Sequence, residues 1–309
     1  MRHAPFVAAA VNFGTTFLRP RENVDRMVGL IAQAAREEPR TRLIVFPECA
    51  TVGLPGPGAQ ERGSDLRQRF VQVAERVPGP TSEAFGKAAR RHGLYAATGF
   101  VEADPVLDGV IYNSSLLLGP DGEVVAVHRK VHTNGIFKAG DEIRVYATAL
   151  GIVGLSICYD LWFPEFLRLQ ALAGCQVHIN MTANQPIFGI GSTYVPIVRA
   201  AECALYIVSS NRVGDDRPDG GLAYMGASSV IAPLGEVLAM GSHDREEIVY
   251  GEIDLARIAK TRMFLPTYNS RRTDLYDVTA LRPSVAMHPQ HPALSVEPSM
   301  PEVAGEKSG

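Results

Sequence analysis

Residues 155–165 read L-S-I-C-Y-D-L-W-F-P-E and carry a cysteine, Cys158, at the junction of two predicted elements. The apolar run at 151–157 has the composition of a buried strand. The proline and glutamate that close the stretch are typical of a first helical turn, so a helix is predicted at 164–173. This junction would suit a nucleophile held by a rigid strand. Because free cysteines are also commonly buried in cores, the stretch alone leaves both interpretations of Cys158 open.

Two further apolar strands are predicted to end at a polar side chain. Residues 43–49 (L-I-V-F-P-E-C) place Glu48 after one strand, and residues 124–132 (V-V-A-V-H-R-K-V-H) place Lys130 after the other. Alone, Glu48 is equally consistent with a surface or helix-capping carboxylate, and Lys130 with one cation of a basic cluster. A base, a cation and a nucleophile at three strand ends together predict a hydrolase site.

The remaining elements alternate between strands and helices along the chain. Apolar residues at helical spacing predict a helix at 21–37. A further helix is predicted at 191–203, and a strand at 224–231. Each half of the chain runs through strand, helix, strand and helix, and then through antiparallel strands. This order suits two mixed sheets that pack face to face, with helices outside.

The composition predicts a single large domain. The chain has 309 residues, of which 46% are hydrophobic and 20% charged, with a net charge of −3. No linker rich in Pro, Gly or Ser divides it before residue 280, so residues 1–281 are predicted to form one domain and residues 282–309 a polar, proline-rich tail. The near-neutral charge gives no reason to expect a nucleic acid or a membrane surface as a partner.

The cysteine pattern predicts a reduced, cytoplasmic protein. Cys49, Cys158, Cys175 and Cys203 form no C-x-x-C pair and no metal-ligand spacing. No apolar run reaches the roughly 18 residues that a membrane span needs. The sequence also lacks the glycine-rich motifs that hold nucleotides, so neither a metal nor a cofactor is predicted.

The three polar strand ends, in this order, resemble the nitrilase (carbon–nitrogen hydrolase) superfamily. The motifs F-P-E, H-R-K-V-H and C-Y-D-L-W-F-P-E carry Glu48, Lys130 and Cys158. The resemblance continues through three further motifs, N-R-V-G at 211–214, G-A-S-S-V-I-A-P-L-G-E-V at 226–237 and R-R-T-D-L-Y at 271–276. Nearly all the chain, from residue 4 to residue 276, is similar to the family.

The resemblance implies an α/β fold, a four-layer α-β-β-α sandwich of two mixed β-sheets with helices outside. It implies that Cys158 is the nucleophile and Glu48 the general base, while Lys130 stabilises the oxyanion and favours the thiolate. It also implies a homodimer or higher homo-oligomer, built through the helices predicted at 164–173 and 191–203.

Four further residues are candidates for binding the substrate or the oxyanion. The backbone N–H group of Tyr159 is the expected second oxyanion donor. Asn184 and Gln185 fall where the pocket residues of the family fall. Trp162, the single tryptophan of the chain, is equally consistent with a pocket wall and with core packing.

One departure from the family follows Lys130. Many members carry a second glutamate there, before an F-x-x-G-D segment that residues 137–141 match. No glutamate stands in the short stretch between, and Glu142 is predicted to lie outside the site. We expect the shortened loop at 131–138 to leave a more open pocket. We also expect Glu48 to be the one carboxylate within hydrogen-bond reach of Lys130, with a polar group from elsewhere close by.

These features together predict a cofactor-free hydrolase of carbon–nitrogen bonds other than peptide bonds. The expected substrate is a small amide or carbamoyl compound, which Cys158 converts to a thioester with release of ammonia or an amine. The C-Y-D and F-P-E residues resemble the amidase and carbamoylase branches, whereas true nitrilases tend to have C-W-E. A nitrilase is the second enzymatic interpretation. The third is a degenerate member that acts in binding or regulation, and the intact set of base, cation and nucleophile argues against it.

Overall fold

The computed structural model describes residues 4–60, 64–133 and 135–273, and these hold twelve strands and six α-helices. The strands are β1 (Phe6–Gly14), β2 (Thr41–Val45), β3 (Tyr95–Ala103), β4 (Ile111–Leu118), β5 (Val124–Arg129), β6 (Val145–Thr148), β7 (Gly151–Ile157), β8 (Val177–Thr182), β9 (Tyr206–Val213), β10 (Ser229–Ile231), β11 (Val237–Met240) and β12 (Glu247–Ile253). The helices are α1 (Pro20–Glu37), α2 (Asp65–Gln72), α3 (Pro80–His92), α4 (Pro164–Leu172), α5 (Gly189–Cys203) and α6 (Ala256–Phe264). The predicted domain boundary at residue 281 and the tail at 282–309 lie outside the described residues.

Local sequence explains where the main helices begin and which face they bury. α1, α3 and α4 each have a proline in the first turn, where its fixed φ suits the helix. α3 ends at Gly93, whose φ of +64° is a left-handed conformation that glycine adopts without strain. In α1 the buried side chains include Val24, Met27 and Ile31, so one apolar face of this helix packs against the sheet.

The strands form one connected mixed sheet. Nine strands follow the order β5-β4-β3-β2-β1-β9-β8-β7-β6, while β10 pairs with β9 and β11, and β12 with β1. The inner strands β1, β2 and β3 run parallel, as do β7, β8 and β9, and the outer strands are antiparallel. β1 meets β9 through two residue pairs, Phe13–Arg212 and Gly14–Val213, which we call the seam. The prediction of two separate sheets is wrong in this respect, because the seam joins them.

The two halves of the sheet face each other across a common apolar core. The first half comprises β1–β5 with β12, and the second half comprises β6–β11. Leu43 and Ala97 enter this core from the first half, and Leu155 and Ile179 from the second. The opposite face of the first half packs against α1 and α3, and that of the second half packs against α4 and α5. The α/β class with mixed strands and outer helices is therefore confirmed.

The strands that precede the predicted site residues come from both halves of the sheet. β2 and β5 belong to the first half and β7 to the second. In residues 4–60, 64–133 and 135–273, no helix has the length and apolar character needed to cross a lipid bilayer.

Candidate active site

Three strand ends bring Glu48, Lys130 and Cys158 into one pocket. Lys130 directly follows β5 and Cys158 directly follows β7, while Glu48 lies three residues beyond the end of β2. The pocket has a volume of about 590 Å³, within the range of about 300–1,000 Å³ that is usual for small-molecule sites. It is therefore formed where the two halves of the sheet meet, with residues from each.

A short ion pair joins Glu48 to Lys130 inside this pocket. Lys130 Nζ lies 2.6 Å from Glu48 Oε1, and Asn113 on β4 donates a hydrogen bond to the same oxygen at 2.7 Å. Glu48 is fully buried, and its other oxygen, Oε2, accepts no hydrogen bond from the described residues. Burial alone would lower the pKa of Lys130, but the adjacent carboxylate outweighs it, so the pKa is raised. The lysine stays charged, and one oxygen of Glu48 remains without a hydrogen-bond donor among the described residues.

The Cys158 thiol lies at a strained turn. Cys158 begins a short 3₁₀-helix, Cys158–Trp162, and its φ of +50° is uncommon for a residue other than glycine. Its Sγ lies 3.4 Å from Asn184 Oδ1. Burial and then the Glu48 carboxylate raise the pKa of Cys158 to about 12, and Lys130 offsets only part of this effect. A raised pKa favours the thiol over the thiolate, and a thiol needs a base to remove its proton before it can act as a nucleophile.

Asp160, two residues after Cys158, is a buried carboxylate that joins two segments of the site. Its Oδ1 accepts hydrogen bonds from the backbone N–H groups of Val131 (3.2 Å) and His132 (2.7 Å), and His132 Nδ1 lies 3.0 Å away. Its Oδ2 accepts one from the Ile157 N–H group at 3.1 Å, with His128 Nε2 at 3.5 Å. Burial would raise the pKa of Asp160, but the two histidines hold it well below its usual range. Asp160 therefore connects the turn at Cys158 to the segment that begins at Val131.

The four residues predicted to bind the substrate or the oxyanion also line the pocket: Tyr159, Trp162, Asn184 and Gln185. Of the two interpretations of Trp162, the structure favours the pocket wall, because its side chain is 38% exposed. The segment that follows Glu48 contributes Leu54, Pro55, Gly56 and Ala59 to the lining.

The structure confirms the expected place of Glu142 and the expected carboxylate partner of Lys130. Glu142 lies outside the pocket and pairs with Arg144 near the surface. Among the described residues, Glu48 is the carboxylate that hydrogen-bonds to Lys130 Nζ. The polar group nearby is Asn113, from β4, and Thr133 lines the pocket in the shortened loop. This site therefore uses an amide to hold the carboxylate of Glu48.

Sequence reasoning missed Asn113 and Asp160. The available signal for Asn113 was a run of three polar residues, N-S-S, inside a strand, I-Y-N-S-S-L-L-L. The signal for Asp160 was an acidic residue just beyond a buried strand, in a chain that also carries a basic cluster at 128–132. Neither signal identifies the residue that the side chain contacts, because the contacting residues are distant in sequence.

The cysteines differ in exposure. All four are free thiols, and Cys158 is partly exposed whereas Cys49, Cys175 and Cys203 are buried. Burial raises the pKa of each of the three buried thiols as well. In the part of the chain that the structure describes, no cluster of three or more His, Cys, Asp or Glu side chains could hold a metal ion.

Comparison with known proteins identifies the protein family that this chain resembles. Residues 7–263 match the carbon-nitrogen hydrolase family. The chain is 32% identical over 276 residues to a nitrilase of Pyrococcus abyssi, covering 87% of this chain and 98% of that protein. It is 28% identical over 280 residues to omega-amidase NIT2 of Homo sapiens, covering 85% of this chain and 94% of that protein.

The solved structures agree with the sequence comparison. A carbon-nitrogen hydrolase from Helicobacter pylori G27 has the same fold with a TM-score of 0.80 and 25% identity, covering 91% of this chain and 99% of that one. The match to the family spans most of the chain and includes the strand ends that form the pocket. The chain therefore belongs to the carbon-nitrogen hydrolase family of the nitrilase superfamily, whose enzymes hydrolyse carbon–nitrogen bonds other than peptide bonds.

Proposed function

We propose that this enzyme is a cysteine-dependent hydrolase of a small amide or carbamoyl compound, and that it works through a thioester. The observation that carries the proposal is the Glu48–Lys130 ion pair beside the Cys158 thiol. One oxygen of Glu48 is held by two donors at 2.6 and 2.7 Å, while the other accepts no hydrogen bond from the described residues. A thiol with a raised pKa next to a fixed carboxylate is an arrangement for general-base activation.

In the first half-reaction, Glu48 removes the thiol proton while Cys158 Sγ bonds to the carbonyl carbon. The carbonyl electrons move to oxygen, and this oxyanion is stabilised by the Lys130 ammonium group and the Tyr159 N–H group. When the intermediate collapses, the protonated Glu48 gives its proton to nitrogen. The carbon–nitrogen bond breaks, ammonia or an amine leaves, and the acyl group stays on sulfur as a thioester.

In the second half-reaction, water replaces the amine. Glu48 takes a proton from the water molecule as its oxygen bonds to the thioester carbon, and the same oxyanion donors act again. The carbon–sulfur bond then breaks and the thiolate takes the proton back from Glu48. The products are a carboxylic or carbamic acid and the original thiol, so no cofactor is consumed.

A nitrilase is the second candidate, and the relative from Pyrococcus abyssi that carries that name supports it. In that reaction Cys158 would attack the nitrile carbon to form a thioimidate. Water would then add, ammonia would leave, and the same thioester would follow. The amidase name of the Homo sapiens relative supports the first candidate. A binding or regulatory role is disfavoured, because the base, cation and nucleophile are all present.

Ammonia and amine release from a panel of amides, carbamoyl compounds and nitriles tests the proposal. We expect turnover of amides or carbamoyl compounds and little or none of nitriles. Faster turnover of nitriles would make the enzyme a nitrilase. If no compound is turned over while several raise the melting temperature, a binding role would replace the proposal. Cys158→Ala serves as the control for turnover that does not use the thiol.

A further inference from the structure

We propose that the substrate carries an uncharged apolar group, preferably an aromatic ring, that packs against an aromatic wall of the pocket. The wall consists of Tyr159, Trp162 and Phe188, all of which line the cavity that holds Cys158. The inference rests on the proposed function, since it assigns a class of substrate to the same site.

The aromatic wall offers apolar surface that a substrate can cover. The ring centroids of Tyr159 and Trp162 lie 6.5 Å apart, and those of Trp162 and Phe188 lie 6.4 Å apart with planes at 71°. The three side chains are 51%, 38% and 49% exposed in this order. Aromatic rings pair favourably at centroid distances of about 4.5–7 Å, so a substrate ring can join this cluster.

The aromatic wall is held in place by the short 3₁₀-helix Cys158–Trp162 and by α5. Arg199 of α5 donates hydrogen bonds to the carbonyl oxygens of Leu161 and Trp162, each at 2.9 Å. The Trp162 indole lies directly over Gly191, where any Cβ atom would overlap the ring. The wall therefore exists before the substrate binds, which lowers the entropic cost of binding.

Apolar side chains from other segments complete the lining. Leu54 and Pro55 come from the loop after Glu48, Ile136 from the shortened loop after Lys130, and Leu222 from the loop after β9. The loops that carry Leu54 and Leu222 are joined by a backbone hydrogen bond from Gly56 to Gly220 at 2.9 Å. Much of the volume of about 590 Å³ is therefore apolar space beyond the reacting groups.

The charges in the pocket favour a neutral substituent. Lys130 and His132 are the side chains that can carry a positive charge among the lining residues that the structure describes. Lys130 is paired with Glu48 at 2.6 Å, and His132 Nδ1 lies 3.0 Å from Asp160 while its ring stacks on Phe163 at 3.6 Å. A carboxylate on the substrate would enter beside Glu48 with Lys130 and His132 already engaged by other carboxylates, which is unfavourable.

Matched substrates test the inference. Hexanamide and the monoamide of adipic acid have similar length but differ in charge, and we expect kcat/KM to be at least about 10-fold higher for hexanamide. The ring is tested on both sides of the scissile bond, with 3-phenylpropionamide for the acyl side and N-benzylacetamide for the amine side. We expect one of the two to exceed acetamide by at least about 10-fold in kcat/KM, as burial of even one methylene can achieve.

Variants of the wall connect this preference to the structure. Phe188→Ala should lower the ratio of kcat/KM for the preferred aromatic amide to that for acetamide by at least about 10-fold. Gly191→Ala should lower the same ratio, because the new Cβ displaces the indole. Ile187→Ala is the matched control, since Ile187 precedes Phe188, is 82% exposed and is not part of the lining, so the ratio should not change.

Failure of this inference is distinguishable from failure of the proposed function. If acetamide and the adipic monoamide are turned over at least as well as the apolar amides, the inference is wrong while the amidohydrolase remains. If Phe188→Ala and Gly191→Ala leave the ratio unchanged, the preference does not arise at the wall. If no amide or carbamoyl compound releases ammonia or an amine, the proposed function itself is wrong.

Discussion

Replacing Glu48 with glutamine separates the basicity of this side chain from its place in the pocket. The amide oxygen of the variant can still accept hydrogen bonds from Lys130 and Asn113, which lie 2.6 and 2.7 Å away in the wild type. It cannot take the proton of Cys158, because a neutral amide is a very weak base. Loss of a positioned general base typically costs about 10²- to 10⁴-fold in rate.

The pKa of the thiol indicates where in this range the loss should fall. With a pKa of about 12, very little Cys158 is a thiolate near neutral pH, so turnover without the base is slow. Part of the loss is offset, since the Glu48 carboxylate itself contributes to the raised pKa. We therefore expect kcat to fall by about 10³-fold, in the middle of the range.

The same substitution should destabilise the fold. It leaves the Lys130 charge without its counter-ion, and only 11% of that side chain is exposed. Removing one partner of a buried ion pair costs about 3–5 kcal/mol, and the retained hydrogen bond places the expected loss near the lower end. Adding Lys130→Met to Glu48→Gln removes the unpaired charge, so this double variant should recover much of the lost stability without recovering activity.

Urea unfolding gives the stability of the wild type and both variants, and ammonia release from the preferred amide gives their turnover. Activity of Glu48→Gln within a few-fold of the wild type would show that Glu48 is not the base. A variant that loses activity but keeps its full stability would show that the Lys130 charge does not depend on this carboxylate. Either result would contradict the reasoning from the ion pair.

Four further predictions concern the nucleophile, its support, pH and assembly. Cys158→Ala should abolish turnover with an unchanged circular dichroism spectrum, and iodoacetamide should modify Cys158 before the buried Cys175 and Cys203, as peptide mass spectrometry would show. Asp160→Asn turns one acceptor oxygen into a donor that faces N–H groups, so kcat should fall at least about 10-fold, since small misplacements at a site are costly; wild-type turnover would contradict its positioning role. Burial lowers the pKa of His178 from its usual value near 6.5 to about 3. Between these two pH values the unfolded chain binds a proton at His178, whereas the native protein does not. As the pH is lowered from 6.5 to 3, this group should therefore lower the free energy of unfolding by about 1.4 kcal/mol per pH unit. His178→Gln should reduce this dependence of the free energy on pH, as measured by urea unfolding. Light scattering at micromolar concentration should give a dimer or larger assembly, whereas a monomer alone would contradict the assembly that the family resemblance implies.

Much of the candidate site could be predicted because its signals are local. A run of apolar residues that stops at a polar side chain identifies a strand end, and three such ends identified Glu48, Lys130 and Cys158. The prolines in the first turns of α1 and α4 mark the starts of these helices in the same way. Patterns of this kind depend on a few neighbouring residues.

What the sequence did not predict depends on contacts between distant segments. Asn113 and Glu48 are 65 residues apart, and Asp160 and His132 are 28 apart, so no local pattern connects them. The strand predicted at 224–231 is shorter than expected, since β10 begins only at Ser229. Gly226 and Ala227 have φ values of +60° and +61°, which interrupt an extended strand.

The seam between β1 and β9 has a consequence for how activity appears during folding. Glu48 and Lys130 lie at strand ends of the first half of the sheet, and Cys158 at a strand end of the second. Neither half contains both the proposed base and the proposed nucleophile. Next to the seam, the Ser210 hydroxyl group donates a hydrogen bond to the Val11 carbonyl group, which is 199 residues away in the chain.

Contacts at such a separation form late, because closing a long loop costs entropy before the contacts compensate for it. A refolding chain can therefore regain helices and strands before Glu48 meets Cys158. The far-UV circular dichroism signal should then recover ahead of ammonia release, and the delay between them measures how long the two halves take to dock. In this enzyme, turnover reports the completed assembly of the two halves.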